Sequence, residues 1–158
     1  MKRLLYISLS FFSILPDKLI YLFSDVLFVI IYRLCKYRID IVRNNLQMSF
    51  PNSTLTDQKT IEVASYRNFC DILVESLLLN SISKVELQKK MTLINPEVFN
   101  GLHLKKNGIM LVGAHYNNWE WMALSLSSYL NGNMYTVYKP LSNKFADSFM
   151  KNSRKRFG

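Results

Sequence analysis

The sequence is poor in the residues that build metal and redox centres. Its 158 residues include only two cysteines and two histidines, which are scattered along the chain. The spacing of Cys35 and Cys70 matches no zinc or redox motif, and it favours two free thiols in a reducing compartment over a disulfide. The chain also lacks the Gly-x-Ser-x-Gly motif of serine hydrolases and any phosphate-binding glycine loop.

Acidic residues are outnumbered by basic ones. The 20 lysines and arginines against 11 acidic residues give a formal net charge of +9, which suits an anionic partner. No nucleic-acid-binding motif is present, and apolar residues are concentrated between positions 4 and 34. We therefore expect an anionic membrane surface as a partner, and no nucleic acid.

The first apolar stretch lacks the small-residue cleavage site of a signal peptide, because Pro16 and a second apolar run, residues 19–32, follow residues 4–15. Neither run reaches the roughly 20 residues of a membrane span, and Asp25 would be costly at the bilayer centre. Basic residues flank both ends, which favours the cytoplasmic side for both. We predict a membrane-associating helical segment over residues 1–48, with two helices that dip into one leaflet or lie in its interface. A tilted single span and a buried hairpin of a soluble domain remain as alternatives.

The rest of the chain has the pattern of an α/β protein. Periodicity and helix-end residues predict helices over residues 39–50, 58–79, 84–91 and 143–156, and the apolar stripe of the second of these includes Phe69 and Leu73 but not Glu62. Short apolar runs at 108–113 and 134–138, with a helix over 117–130 between them, predict a βαβ unit with parallel strands. Two strands do not complete a parallel sheet, so we expect the chain to be the front part of a longer protein.

His115 follows the first predicted strand, and Glu120 lies five positions later in the first turn of the next helix. A carboxylate so placed can orient the imidazole and favour the imidazolium that forms when histidine acts as a general base. Backbone N–H groups near residues 116–118 offer a site for an oxyanion. The alternative is a capping role, because Asn117 and Glu120 resemble a capping box. The second histidine, His103, lies in a polar stretch and is predicted to be a surface residue.

The segment His115-Tyr-Asn-Asn-Trp-Glu120 resembles the His-x4-Asp/Glu motif of glycerolipid-type acyltransferases. It is most similar to the lipid A biosynthesis (late) acyltransferases, the lauroyl/myristoyl transferase family of Gram-negative bacteria. The likeness covers essentially the whole chain, and other segments carry it too: 37–38, 42–46 and 50–51, 71–77, 138–143 and 154–158. Two positions depart from the family pattern. Asn117 stands where the family usually has glycine, and Lys139 stands where it usually has arginine, which loses the bidentate fork.

This resemblance implies transfer of an acyl chain from an acyl carrier protein thioester to a hydroxyl of a lipid A precursor at the cytoplasmic face of the bacterial inner membrane. His115 and Glu120 would be the catalytic pair, with no metal and no bound cofactor. The fold implied is a set of N-terminal membrane-associated helices followed, over residues 49–158, by the first part of a glycerolipid-acyltransferase-like αβα domain. An inactive membrane-binding fragment and an enzyme with another glycolipid or aminolipid acceptor are the alternatives. The implied substrate-binding residues are Lys139, Asn143, Arg154 and Arg156.

Overall fold

The computed structural model describes residues 15–103, 109–130 and 133–157. The chain divides into two compact units, of which one is Ile14–Glu75 and the other contains Ser76–Gly158. The helical elements, in chain order, are α1 (Asp17–Phe28), a π-helical segment (Val29–Leu34) that continues α1, α2 (Ile39–Ser49), α3 (Leu55–Leu78), α4 (Lys84–Lys90), α5 (Pro96–His103), α6 (Trp119–Tyr129) and α7 (Lys144–Arg154).

The predicted α/β fold is wrong, because the described residues form helices and contain no β-strand. The two segments expected to be parallel strands lie within irregular stretches, residues 109–116 and 133–141, and no backbone hydrogen bonds join them in the described chain. Their apolar side chains are exposed, with Val112 at 89% and Tyr135 at 88%. An apolar run can favour extended backbone, but a strand also needs a neighbouring strand that accepts and donates its ladder hydrogen bonds.

The predicted membrane helices are not supported either. The first apolar run, residues 4–15, lies almost wholly outside the described residues, and the second forms most of α1 and the π-helical segment. Within the part of the chain that is described, none of the helices has the length and apolar character needed to cross a membrane.

The core of the first unit is formed by aromatic side chains of α1, the π-helical segment and α3. Phe28, Tyr32, Tyr66 and Cys70 are buried together, with the rings of Phe28 and Tyr32 stacked at 5.1 Å. Polar hydrogen bonds also join α1 to α3, since Tyr21 donates to Glu75 and Ser24 donates to Asp71. Cys35 and Cys70 are free thiols, as the sequence predicted.

Helix α3 presents a different face to the core from the one predicted. A reciprocal pair of hydrogen bonds between Thr54 and Asp57 begins the helix, and the column of residues at four-residue spacing is buried. Phe69 and Leu73, which the predicted stripe included, are each 38% exposed. The buried column is Glu62, Tyr66, Cys70, Val74 and Leu78.

Glu62 is the charged member of that column, and its carboxylate is fully engaged. It accepts hydrogen bonds from Arg43 at 2.8 Å, from Lys59 at 2.8 Å and from the Tyr32 hydroxyl at 2.7 Å. Burial alone would raise the pKa of Glu62, but these hydrogen bonds outweigh it and lower the pKa to about 2.

The second unit packs α6 against α4 and α7. Ser83 caps α4 by accepting a hydrogen bond from the N–H of Glu86. Gln88 of α4 donates to the carbonyl of Ser128, and the Tyr129 hydroxyl donates to the carbonyl of Gln88. The buried apolar side chains of this unit include Leu79, Leu87, Trp121, Leu124 and Phe149.

Candidate active site

The chain enters α6 through a tight turn that carries His115. The N–H of Tyr116 donates to the carbonyl of Ala114 at 2.9 Å, so this N–H is committed within the turn and is not directed at an oxyanion. Asn118 then caps the helix, because its side chain accepts from the N–H of Trp121 at 3.2 Å. The N-cap is therefore one residue later than Asn117, where the sequence placed it.

Asn117 has a left-handed backbone with a φ of 49°. This conformation costs little for glycine and is tolerated best, among other residues, by asparagine and aspartate. The geometry explains why asparagine can stand at a position where the acyltransferases that this segment resembles usually have glycine. The departure is thus compatible with the turn that carries His115.

Glu120 is buried and paired with an arginine of α7. Its carboxylate accepts two hydrogen bonds from Arg154, from Nε to Oε2 at 2.9 Å and from Nη2 to Oε1 at 2.5 Å. The exposed fraction of the side chain is 9% for Glu120 and 28% for Arg154. Because the carboxylate oxygens face Arg154 and Asn118 provides the cap, a capping box between Asn117 and Glu120 is not formed.

His115 is exposed, and its ring lies 4.8 Å from the ring of Trp119 at an angle of 60°. Among the described residues no hydrogen bond joins the imidazole to Glu120. The structure thus brings an accessible imidazole and a buried, arginine-paired carboxylate to the two ends of one short segment. The catalytic role of the pair stays a prediction.

Arg154 is held from its other side by Tyr138. The guanidinium carbon lies 5.2 Å from the Tyr138 ring centre, and Lys151 of the same helix lies 5.7 Å from that ring centre. Such cation–π contacts are favourable where the cation is partly desolvated. The hydrogen bond to Glu120 raises the pKa of Arg154. No local sequence pattern predicts this pairing, because 34 residues separate the two partners.

The other predicted substrate-binding residues have different surroundings. Asn143 caps α7 by accepting hydrogen bonds from the N–H groups of Phe145 and Ala146. Arg156 donates to the carbonyl of Leu79 at 2.6 Å, and burial lowers its pKa. Lys139 is exposed. The side chain of His103 lies outside the described residues.

Comparison with protein families matches residues 3–158 to the bacterial lipid A biosynthesis acyltransferases. The chain belongs to this lipid A biosynthesis acyltransferase family. It is therefore an acyltransferase of lipid A biosynthesis. Searches of the curated proteins and of the solved structures returned no significant match.

The described residues of this lipid A acyltransferase offer few groups that could take part in the chemistry. They contain no cluster of histidine, cysteine, aspartate or glutamate side chains that could hold a metal ion. The one described imidazole is that of His115, and it lies five residues before a carboxylate that accepts two hydrogen bonds from an arginine. Histidine is the side chain that most often acts as a general base towards a hydroxyl group.

Proposed function

We propose that this protein transfers a fatty acyl chain from an acyl carrier protein thioester to a hydroxyl group of a lipid A precursor. Family membership supports acyl transfer in lipid A biosynthesis, and the choice of donor and acceptor is the proposal. The observation that carries it is the exposed imidazole of His115 beside the helix whose first turn holds the buried carboxylate of Glu120.

In the proposed reaction His115 is the general base. It takes the proton of the acceptor hydroxyl while the oxygen attacks the thioester carbonyl, and the imidazolium then returns the proton to the departing thiolate. Glu120 orients the imidazole and stabilises its charged form. The thioester already supplies an activated acyl group, so the scheme needs no metal and no bound cofactor.

Lys139 is an accessible cation that could bind the anionic groups of the two substrates. Its exposed ammonium group suits a phosphate of the glycolipid or of the pantetheine arm of the carrier protein, although a lysine contacts phosphate as a point charge without a fork. The net charge of +9 supports attraction of an acidic carrier protein. In this scheme Asn143 and Arg156, which belong to the same stretch of chain, also take part in substrate binding.

The site of action in this proposal is the cytoplasmic face of the bacterial inner membrane. The exposed side of residues 19–34 is mostly apolar, and its exposed charged residues are Asp25, which pairs with Arg67, and Arg33. Two more exposed basic side chains, Lys36 and Arg38, follow directly. A contiguous apolar surface beside positive charge suits contact with an anionic lipid surface. The exposed apolar residues are Leu19, Leu22, Phe23, Val26, Val29, Ile30 and Leu34.

The catalytic proposal is tested by reconstitution of the protein with acyl carrier protein thioester and a lipid A precursor in vesicles, with the product weighed by mass spectrometry. We expect His115→Ala to lower the rate by about 100- to 10,000-fold, the usual contribution of a general base. His103→Ala, the substitution of the second histidine, is the matched control and should transfer at the normal rate. Near-normal transfer by His115→Ala would show that another group is the base.

Contact with the membrane surface is tested by flotation with vesicles of anionic or neutral lipid. We expect binding to anionic vesicles that weakens with salt, and a clear loss of binding when Leu22 and Val26 are both replaced by glutamate. Glutamate at exposed Leu55 is the control. A folded protein that binds vesicles but transfers nothing would instead support the alternative of a basic membrane-binding module without activity.

A further inference from the structure

We infer that Arg154 is a positioning residue for Glu120, rather than a binding residue for substrate phosphate; the inference rests on the proposed function of His115 and Glu120. Two of the guanidinium N–H groups already bond the carboxylate, at 2.9 and 2.5 Å. A planar fork against a carboxylate fixes both the distance and the plane of the acid. Arg154 is also about three-quarters buried, which leaves little of its charge accessible to an incoming anion.

The bidentate contact with Arg154 leaves the Glu120 carboxylate able to accept a further hydrogen bond from a histidine. An ionised carboxylate offers about four lone-pair sites, and the two hydrogen bonds from Arg154 occupy two of them. The remaining sites can accept the N–H of an imidazole. A carboxylate that was free to rotate would lose this directionality, whereas one held by both N–H groups of a guanidinium fork keeps its plane.

The surroundings of Arg154 show what keeps its guanidinium in position against Glu120. Tyr138 covers one face of the guanidinium at 5.2 Å, so the edge that carries the N–H groups remains directed at Glu120. The helix that carries Arg154 is anchored by its Asn143 cap and by Ser153, which is fully buried. Side chains from the end of one irregular segment and from α7 therefore set the position of a carboxylate on α6.

Lys151 provides a matched comparison on the same helix. It also contacts the Tyr138 ring, but it pairs with Asp147 at 3.5 Å and its side chain is half exposed. Removal of its charge changes the net charge of the protein by the same amount as removal of the Arg154 charge, but it leaves the contact with Glu120 in place. A loss of rate in the Arg154 variant alone is therefore not an effect of net charge.

The test measures kcat and KM for the lipid A precursor, per folded molecule, in the vesicle assay. We expect Arg154→Gln to lower kcat by about 10- to 100-fold, because a misplacement of about 1 Å costs roughly 100-fold, with KM changed by less than about twofold. Arg154→Lys should retain part of the rate, since it keeps the charge and loses the fork. Lys151→Gln should transfer at the normal rate.

A double-substitution cycle with Glu120→Gln separates positioning from other roles. If Arg154 acts through Glu120, Arg154→Gln should lower kcat by less than about threefold when Glu120→Gln is already present. A raised KM with unchanged kcat, by the same factor in both backgrounds, would assign Arg154 to anion binding and overturn the inference.

Two further results would also overturn the inference, and they differ in whether the proposed function survives. A lower melting temperature with normal kcat per folded molecule would make the pair merely structural, with the proposed function intact. Normal transfer by His115→Ala, or no transfer by the unsubstituted protein, would remove the proposed function and this inference with it.

Discussion

Two buried carboxylates, one in each compact unit, are held by arginine in different ways. Glu62 receives hydrogen bonds from Arg43, Lys59 and Tyr32, and the aromatic core lies beside it. Glu120 receives its side-chain hydrogen bonds from Arg154 alone among the described residues. The first carboxylate is saturated by donors, while the second retains acceptor capacity five residues from an exposed imidazole.

This difference separates a structural charge from a charge that can take part in chemistry. Glu62 accepts four hydrogen bonds, two of them from Arg43, so its carboxylate is stabilised as an anion and has little left to offer a further partner. A carboxylate held by one guanidinium is equally fixed but can still accept from a histidine. Both carboxylates are buried and paired with arginine, so these two properties do not distinguish them. The number of hydrogen bonds that each carboxylate accepts does.

The largest effect that tests this comparison is on catalysis. We expect Glu120→Gln to lower kcat by about 100-fold or more, because loss of the orienting carboxylate impairs the base. Glu62→Gln removes an equally buried carboxylate and should leave kcat per folded molecule within about twofold. The measurement is the vesicle transfer assay with the folded fraction determined by circular dichroism. Similar losses in the two variants would erase the distinction.

The next effect is on stability and its dependence on pH. Since the pKa of Glu62 is lowered to about 2 in the folded protein, its stabilising contribution is present above the unfolded value of about 4.3 and is lost as pH falls towards 2. We expect Glu62→Gln to lower the free energy of unfolding by about 2 kcal/mol at pH 7, the scale of hydrogen bonds to a charged group.

Urea unfolding at pH 7 and at pH 3 checks this expectation. The unsubstituted protein should lose stability between the two pH values, and the contribution of Glu62 to that loss should be missing from Glu62→Gln. Glu97→Gln, at an exposed carboxylate of α5, is the control. An unchanged pH dependence in Glu62→Gln would mean that other carboxylates govern acid unfolding.

The local parts of this structure were predictable from the sequence. The predicted helices over 39–50, 84–91 and 143–156 match α2, α4 and α7 to within two residues at each end, because caps and apolar periodicity are local signals. Helix α5 was missed although Pro96, a common first helical residue, begins it.

The features that could not be predicted from the sequence depend on contacts between residues that are distant along the chain. The periodicity of α3 was assigned to a face without Glu62, because a glutamate is expected outside the core unless it is paired. Its partners Tyr32 and Arg43 lie on earlier elements, 30 and 19 residues away. Strands were predicted at 108–113 and 134–138 from composition, which cannot reveal whether a neighbouring strand exists. The pairing of Glu120 with Arg154 is similarly distant in sequence.

The smallest effect concerns Asn143, which resemblance assigns to substrate binding and which the structure also uses as a helix cap. Asn143→Ala removes two hydrogen bonds to the N–H groups of Phe145 and Ala146 and should cost about 1 kcal/mol of stability. Asn143→Asp keeps an acceptor for both and should unfold at nearly the normal urea concentration. If Asn143 also donates to a substrate phosphate, Asn143→Asp should raise KM, because aspartate lacks the amide donor and adds a negative charge. Normal stability and normal KM in Asn143→Asp, with reduced stability in Asn143→Ala, would limit this residue to the cap and leave Arg154 as the contribution of α7 to the site.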